Sequence, residues 1–355
     1  MLRPLLGVFA LCLGLASAQP ARADGCPDPA TALGVSRVID IDASGGPIFG
    51  SMTQREKEPS FLGPREVVLT FDDGPAPRIT NPILDTLDRF CTKATFFNVG
   101  EMALAYPKTV QEVLARGHTV GTHTWSHPLN LRRLTVDKAI DQIERGFAAV
   151  ALAAGTPIAP FFRFPGLSDS DELMSHLQMR GIAAFTVDVV SNDSYIGSPD
   201  RIAARALEYA EKHNGGILLF HDIKSATAKA LPKVLTELKA KGFKVVHLRS
   251  RYPFSPIPSY EPELKPLLAK APVVAAGTLV PFFAMPLTAD GGEMPTSELA
   301  PVARARTLVS PATTPSTETA VTEPEADPAK ARASTHKVRS HKLGHSRRRA
   351  ADASW

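Results

Sequence analysis

Two acids stand side by side at Asp72-Asp73, behind the apolar run Val67-Val68-Leu69-Thr70-Phe71 and ahead of Gly74-Pro75. Neighbouring carboxylates can serve one site only where a strand has stopped, because side chains alternate faces along a strand, and Gly-Pro is a strong stop. The carboxyl ends of strands are where α/β folds bind ligands. A pair of solvated acids in a turn would be written with the same residues. Further on, His123 and His127 are four apart in Thr122-His123-Thr124-Trp125-Ser126-His127-Pro128. One turn of helical backbone would aim both imidazoles at one point, the way a short segment supplies two metal ligands. Two histidines and a carboxylate leave a zinc position open for water, the catalytic rather than the structural pattern, and the run ending in Asp72 and Asp73 offers that carboxylate.

Three more stretches end apolar runs on polar groups. Phe161-Phe162-Arg163-Phe164-Pro165-Gly166 delivers an arginine that could orient an aspartate and hold it ionised, or be a surface charge. Asp188-Val189-Val190-Ser191-Asn192-Asp193-Ser194-Tyr195 adds acids, or is an ordinary polar loop. Gly215-Gly216-Ile217-Leu218-Leu219-Phe220-His221-Asp222 delivers a histidine that, alone, would read as a satisfied core residue.

The elements that must position these groups alternate. Strands are expected at 67–71, 94–99, 118–122, 161–164, 182–190, 217–220 and 244–248, with helices at 81–90, 103–116, 136–154, 171–180, 199–212 and 228–241. Alternation of this kind is the pattern of βα units and a parallel sheet. Seven strands in so short a segment suggest an α/β fold built as one incomplete barrel.

Composition divides the rest of the chain. Residues 1–23 read as an export signal, with Arg3, an apolar core and Ala16-Ser17-Ala18 or Ala21-Arg22-Ala23 as the cleavage site. Residues 24–64 read as an irregular N-terminal extension, 65–252 as the catalytic domain and 253–355 as a Pro/Ala-rich linker with a basic, disordered C-terminal tail. The apolar stretch 271–287 is broken by Pro272, Pro281 and Pro286, so no transmembrane span is expected in the mature chain. Residues 330–349 carry eight Lys/Arg, three histidines and no acid; they could hold anionic envelope polymers or simply be solvated. Nucleic acid is a poor partner for an exported chain, and the net charge of +4 comes largely from this end. Beyond the signal only Cys26 and Cys91 remain, able to form one disulfide or to stay as two free thiols.

Thr70-Phe71-Asp72-Asp73-Gly74-Pro75, His123-Thr124-Trp125-Ser126-His127-Pro128 and Leu218-Leu219-Phe220-His221-Asp222, in this order, resemble three signature motifs of the polysaccharide deacetylases, carbohydrate esterase family four. Ala94-Thr95-Phe96-Phe97 with Gly100 resembles the family's second strand. The likeness covers about half of the chain and implies a distorted (β/α) barrel. It assigns Asp73, His123 and His127 to a divalent metal, normally Zn2+, Asp72 to the catalytic base, Arg163 to tuning that base and His221 to the general acid. Leu219 would line the acetyl pocket, with Pro165 and the backbone N–H of Gly166 beside it. Asp193, with Asp188 in reserve, would be the acid partnering the arginine or the histidine. The family usually carries aromatics where this chain has Gly166 and Ser194, which leaves the groove wall open to question.

The expected activity is removal of N-acetyl groups from an N-acetylated glycan such as peptidoglycan, a chitin-like oligomer or an exopolysaccharide, in the periplasm or outside the cell. A nodulation-type chitooligosaccharide deacetylase, an O-acetyl esterase and a non-catalytic envelope glycan-binding protein are the alternatives.

Overall fold

The structure, a computed structural model, describes residues 26–270. Strand β1 (Arg37–Ile41) and β2 (Ile48–Phe49) are followed by β3 (Glu66–Asp72), α1 (Pro77–Arg89), β4 (Thr95–Asn98), α2 (Gly100–Ala105), α3 (Pro107–Ala115) and β5 (Thr119–Thr122). Then come α4 (Val136–Ala154), β6 (Phe161–Phe162), α5 (Asp171–Arg180), β7 (Ala183–Phe185), β8 (Val189–Val190), α6 (Pro199–Lys212), β9 (Gly215–His221), α7 (Ser225–Ala240), β10 (Lys244–Ser250) and α8 (Glu261–Ala269).

Alternation along β3 explains both the core and the site. Val67, Leu69 and Phe71 face the helices, where they pack with Leu84, Phe96 and Phe220. Val68 faces the other way, into a cluster with Phe97, Phe161, Phe185 and Ile217, so Thr70 and Asp72 share that inner face. The same parity puts Arg163 on the face of Phe161, and Leu219 and His221 on the face of Ile217. Polar side chains from three distant segments are thereby turned into one barrel interior.

All the ladders are parallel, as βαβ connections require. Pairing runs β8–β9–β3–β4–β5–β6–β7, and β2 adds to the free edge of β7. Among the described residues no ladder joins β7 to β8, which are separated only by Thr186, Val187 and Asp188. The expected run 182–190 breaks there, and the barrel is distorted and incomplete for that reason.

Residues 24–64 are not irregular throughout, as the sequence suggested. β1 pairs with β10 from Arg37↔Val246 to Ile41↔Ser250, and β2 pairs with β7. Their signal is weak because β1 buries fully only Ile41 and its partner lies some 200 residues away in sequence. The packed region also continues past residue 252. Phe254 is buried, its amide donates to the Ile158 carbonyl at 3.0 Å, and α8 buries Leu264. The expected helix 103–116 divides into α2 and α3 at Tyr106, because Pro107 starts a new helix at a position where its missing N–H is not needed.

Cys26 and Cys91 form a disulfide that ties the N-terminal segment to the turn after α1. No helix among the described residues is long and apolar enough to cross a membrane. The export signal, the apolar stretch 271–287 and the basic tail lie outside the described residues.

Candidate active site

The site stands at the carboxyl ends of β3, β5, β6 and β9. Arg163, 1% exposed, is held by five contacts. Its Nη1 donates to Asp72 Oδ1 at 2.7 Å and Thr70 Oγ1 at 2.8 Å, and Nε and Nη2 donate to the carbonyls of Phe185 and Thr186 at 3.2 and 3.3 Å. Its plane lies over the Phe97 ring, 4.3 Å from the centroid. A buried guanidinium fixed in this way holds one aspartate oxygen and leaves the other, Asp72 Oδ2, free to face His123 Nε2 at 3.7 Å. Burial pushes the Asp72 carboxyl up and Arg163 pulls against it, so Asp72 keeps an appetite for a proton.

Asp73 is set differently. With φ at 77° its backbone has left the strand, and its Oδ1 stands 3.1 Å from His127 Nε2 and 3.5 Å from His123 Nε2. The ligating atoms of Asp73, His123 and His127 all lie within 4.8 Å of one another. The two histidines do not converge by a helical turn, as their spacing suggested. The segment after β5 is an irregular loop in which Thr124 (φ 71°) and His127 (φ 56°) are left-handed, each at a cost of about 1–2 kcal/mol. Tertiary contacts impose the shape. The Thr124 and Trp125 carbonyls accept from the Gly100 and Glu101 amides at the start of α2, and Gln142 of α4 accepts from the amides of Trp125 and Ser126.

The donor set fits a divalent cation. His123 Nδ1 lies 2.7 Å from the Arg163 carbonyl, which can only accept, so Nδ1 carries the proton and Nε2 presents its lone pair. Burial, then the neighbouring His127, holds His123 well below its ordinary pKa and therefore neutral. Asp73 Oδ1 is buried without a hydrogen-bond donor. A buried carboxylate oxygen with no donor, beside the His123 lone pair and the His127 ring, suits a metal ion.

Across from these groups is His221. Its Nδ1 lies 2.7 Å from Asp193 Oδ1, while Asp193 Oδ2 accepts from the His221 amide at 2.7 Å and from Thr227 Oγ1 at 2.6 Å. Burial alone would lower the His221 pKa, but Asp193, with Asp73 and Asp72 behind it, raises it to about 10. Its Nε2 faces Asp73 Oδ2 at 3.9 Å. Asp193 thus partners the histidine, not the arginine. Asp188 instead accepts from the Ile217 amide at 2.8 Å and braces the seam between β8 and β9.

Leu219 is half-buried on the inner face two residues before His221, in register with Thr70. Pro165 is buried at the start of the 3₁₀ turn that follows β6. Gly166 is exposed with φ at 57°, a conformation that side chains rarely adopt, so an aromatic at this position would strain the turn. Ser194 Oγ lies 3.2 and 3.3 Å from the two ring nitrogens of His221.

Asp222 is a further member of the site that sequence reasoning passed over. It is wholly buried, its amide donates to the Asp72 carbonyl at 3.2 Å and its Oδ2 accepts from Thr80 Oγ1 at 2.7 Å. Thr80 Oγ1 in turn accepts from the Ala76 amide at 2.8 Å. A Cβ on Gly74 would come within 2.1 Å of Asp222 Oδ2, so only glycine fits above that carboxyl. Burial raises Asp222 to about 7. The signal was present in the sequence as an aspartate following His221, but nothing local says that it packs under Gly74.

A cluster of cation-ligand type, set between an aspartate held by arginine and a histidine held by aspartate at one end of a parallel barrel, is an arrangement that could support metal-assisted hydrolysis. The family model for polysaccharide deacetylase matches residues 62–185. The peptidoglycan-N-acetylglucosamine deacetylase of Bacillus cereus is 34% identical over 203 residues, covering 54% of this chain and 71% of that protein. The chain belongs to the polysaccharide deacetylase family. The peptidoglycan-N-acetylmuramic acid deacetylase PdaC of Bacillus subtilis is 36% identical over 183 residues, covering 51% of this chain but only 37% of PdaC, so the chain spans well under half of that relative's length. Among solved structures, the peptidoglycan deacetylase Bd3279 of Bdellovibrio bacteriovorus superposes with a TM-score of 0.55 at 32% identity, covering 61% of this chain and 59% of that one.

Proposed function

We propose that the protein is an exported, metal-dependent deacetylase that hydrolyses N-acetyl groups of an N-acetylglucosamine-containing glycan to acetate and a free amine. One observation carries this reading. An aspartate held by a buried arginine and a histidine held by a buried aspartate, the pairs Asp72–Arg163 and His221–Asp193, flank the same Asp73–His123–His127 cluster.

A divalent cation, zinc by the nature of the donors, would be held by Asp73, His123 and His127 and would polarise the acetyl carbonyl and acidify the attacking water. Asp72 Oδ2 takes the proton of that water as its oxygen bonds to the carbonyl carbon. Arg163 keeps the carboxylate aimed and ionised until then. Leu219 would give the acetyl methyl an apolar wall, and the Gly166 N–H beside Pro165 would donate to the carbonyl oxygen as charge builds there. When the C–N bond breaks, His221 Nε2 gives its proton to the departing nitrogen. The high pKa that Asp193 confers keeps the proton in place until then. An amine leaves poorly without a proton, whereas a sugar alkoxide needs one less, so a histidine held charged favours N- over O-deacetylation.

The Cys26–Cys91 disulfide supports the reading that the chain works in an oxidising compartment, the periplasm or outside the cell. The basic run 330–349 would then tether the enzyme to anionic envelope polymers. Peptidoglycan is favoured as substrate by the relatives named above, with a chitin-like oligomer the alternative.

The test is acetate release by the mature full-length chain, with and without added zinc, from peptidoglycan, chitin oligomers and acetylated xylan. Zinc-dependent acetate from an N-acetylated glycan is the expected outcome. Release from xylan alone would make the protein an O-acetyl esterase, and release from none would leave a glycan-binding protein.

A further inference from the structure

The crossover from β5 to α4 carries both histidines of the metal cluster and then runs on around the rim of the barrel. Its next anchor is a 3₁₀ turn, Leu131–Arg133, pinned by the fully buried side chain of Leu131 and by the hydrogen bond from the Arg133 amide to the Asn130 carbonyl at 2.8 Å. The loop also closes on the site itself. The Leu129 carbonyl is the nearest atom, at 3.4 Å, to where a side chain on Gly166 would begin, and Leu129 is 64% exposed. Arg132 and Arg133 are therefore held on the face of the barrel where substrate must arrive, five and six residues beyond His127.

These two arginines are exposed, and their side chains make no ion pair, hydrogen bond or ring contact among the described residues. Others are engaged: Arg55 with Asp169, Arg116 with Asp85 and Asp88, Arg145 with Glu263, Arg180 with Glu144, Arg249 with Asp40 and Arg251 with Asp42. Guanidinium groups left without a partner on an ordered backbone are poised for planar, bidentate recognition of carboxylate. Across the rim, Gly166 and Ser194 put little bulk in the way of a substituted sugar.

We infer that Arg132 and Arg133 select a glycan bearing carboxylates, by pairing with an acid carried on or beside the sugar being deacetylated. The inference rests on the reading of the site as a glycan deacetylase, and it concerns which glycan is taken. A neutral chitin oligomer offers these residues nothing, while a strand with lactyl or peptide carboxylates offers both of them a partner. Exposed pairs are individually weak and screened by salt, so the effect belongs to binding and to low ionic strength.

The experiment compares the mature wild-type chain with R132A/R133A and with the charge reversal R132E/R133E. Binding of a soluble, carboxylate-bearing peptidoglycan fragment and of chitotetraose is measured by calorimetry, alongside acetate release from each. The expected result is an affinity for the carboxylated fragment weaker by about three- to tenfold in the double alanine variant, and weaker still on reversal. KM should follow, with kcat, chitotetraose binding and melting temperature unchanged. The wild-type preference should fade with added salt. The basic tail is present in all three proteins, so differences between them report the rim pair. Equal losses on both glycans, or no loss on either, would overturn the inference. Absence of acetate from both glycans with wild type would instead sink the deacetylase reading, while the binding comparison would still decide the role of the arginines.

Discussion

His221, half-buried, and His118, buried, both stand on strands or at strand ends of one barrel, yet they differ in charge state. His221, at the carboxyl end of β9, is raised to about 10 because Asp193, Asp73 and Asp72 outweigh its burial. His118, at the opposite end of the barrel before β5, is lowered to about 3 by burial, with Lys93, His247 and Arg116 adding to it. Its Nδ1 accepts from the Ala94 amide at 3.1 Å, which a neutral ring can do. His247 on β10 is lowered to about 4 in the same way and meets Thr119 Oγ1 at 3.3 Å. Desolvation acts alike at both ends, and what differs is whether a carboxylate stands beside the ring. The end with acids is the one the proposed mechanism uses for proton transfer. The other end, where Thr119 also donates to the Leu248 carbonyl and β1 pairs with β10, is built to hold the barrel shut.

If the two ends divide chemistry from stability, their variants should separate in the same way. The largest effect belongs to Asp72→Asn, which should cut acetate release by about a thousandfold while zinc stays bound, whereas His127→Ala should lose both. Retention of full turnover by Asp72→Asn would break the division at its centre. At the far end, Cys91→Ser opens a loop of 65 residues that is worth about 4 kcal/mol on the chain-entropy account. Chemical denaturation should show a large loss of stability, with kcat of the remaining folded enzyme unchanged.

A smaller effect tests the turn between β3 and α1. Gly74→Ala collides with Asp222 and should displace Asp73, weakening zinc binding by about 10- to 100-fold in calorimetry. Asp222→Asn keeps the shape and the bond from Thr80, and should leave zinc affinity within a few-fold of wild type. Loss of zinc affinity in the asparagine variant as well would mean that the charge, not the packing, of Asp222 matters.

The smallest effect is a slope. His118 and His247 have folded pKa values below the unfolded value of about 6.5, so the unfolded chain binds more protons once the pH drops under it. Their stabilisation is complete above that pH and falls as acid is added towards pH 4 and 3, by up to about 1.4 kcal/mol per pH unit for each ring. His118→Asn keeps an acceptor for the Ala94 amide and should flatten the decline measured by thermal melts between pH 6.5 and 4.5. An unaltered slope would mean that other groups govern acid unfolding.

The inner-face residues were legible because parity is local. Once β3 is recognised, Val68, Thr70 and Asp72 must share a side, and the same holds for Ile217, Leu219 and His221. β1 and β2 were not legible, because a strand with one fully buried residue has little pattern and owes its existence to β10 and β7. The metal cluster was half legible. Spacing pointed to two histidines converging, but the device was a left-handed loop pinned by α2 and α4 rather than a helical turn. Asp222 could not be read at all, since its role depends on a glycine about 150 residues earlier.

The sequence by itself determined which residue types stand at the strand ends and which face each one takes, because alternation and turn chemistry operate over a few residues. Tertiary structure made the contacts themselves: Asp193 rather than Asp188 reaches His221, Asp73 joins the two histidines while Asp72 goes to Arg163, as the resemblance implied, and Cys26 meets Cys91. It also decided which histidine is charged. A buried group's protonation is a balance between lost water and every charge that the fold brings near, and those charges come from strands far away in the chain.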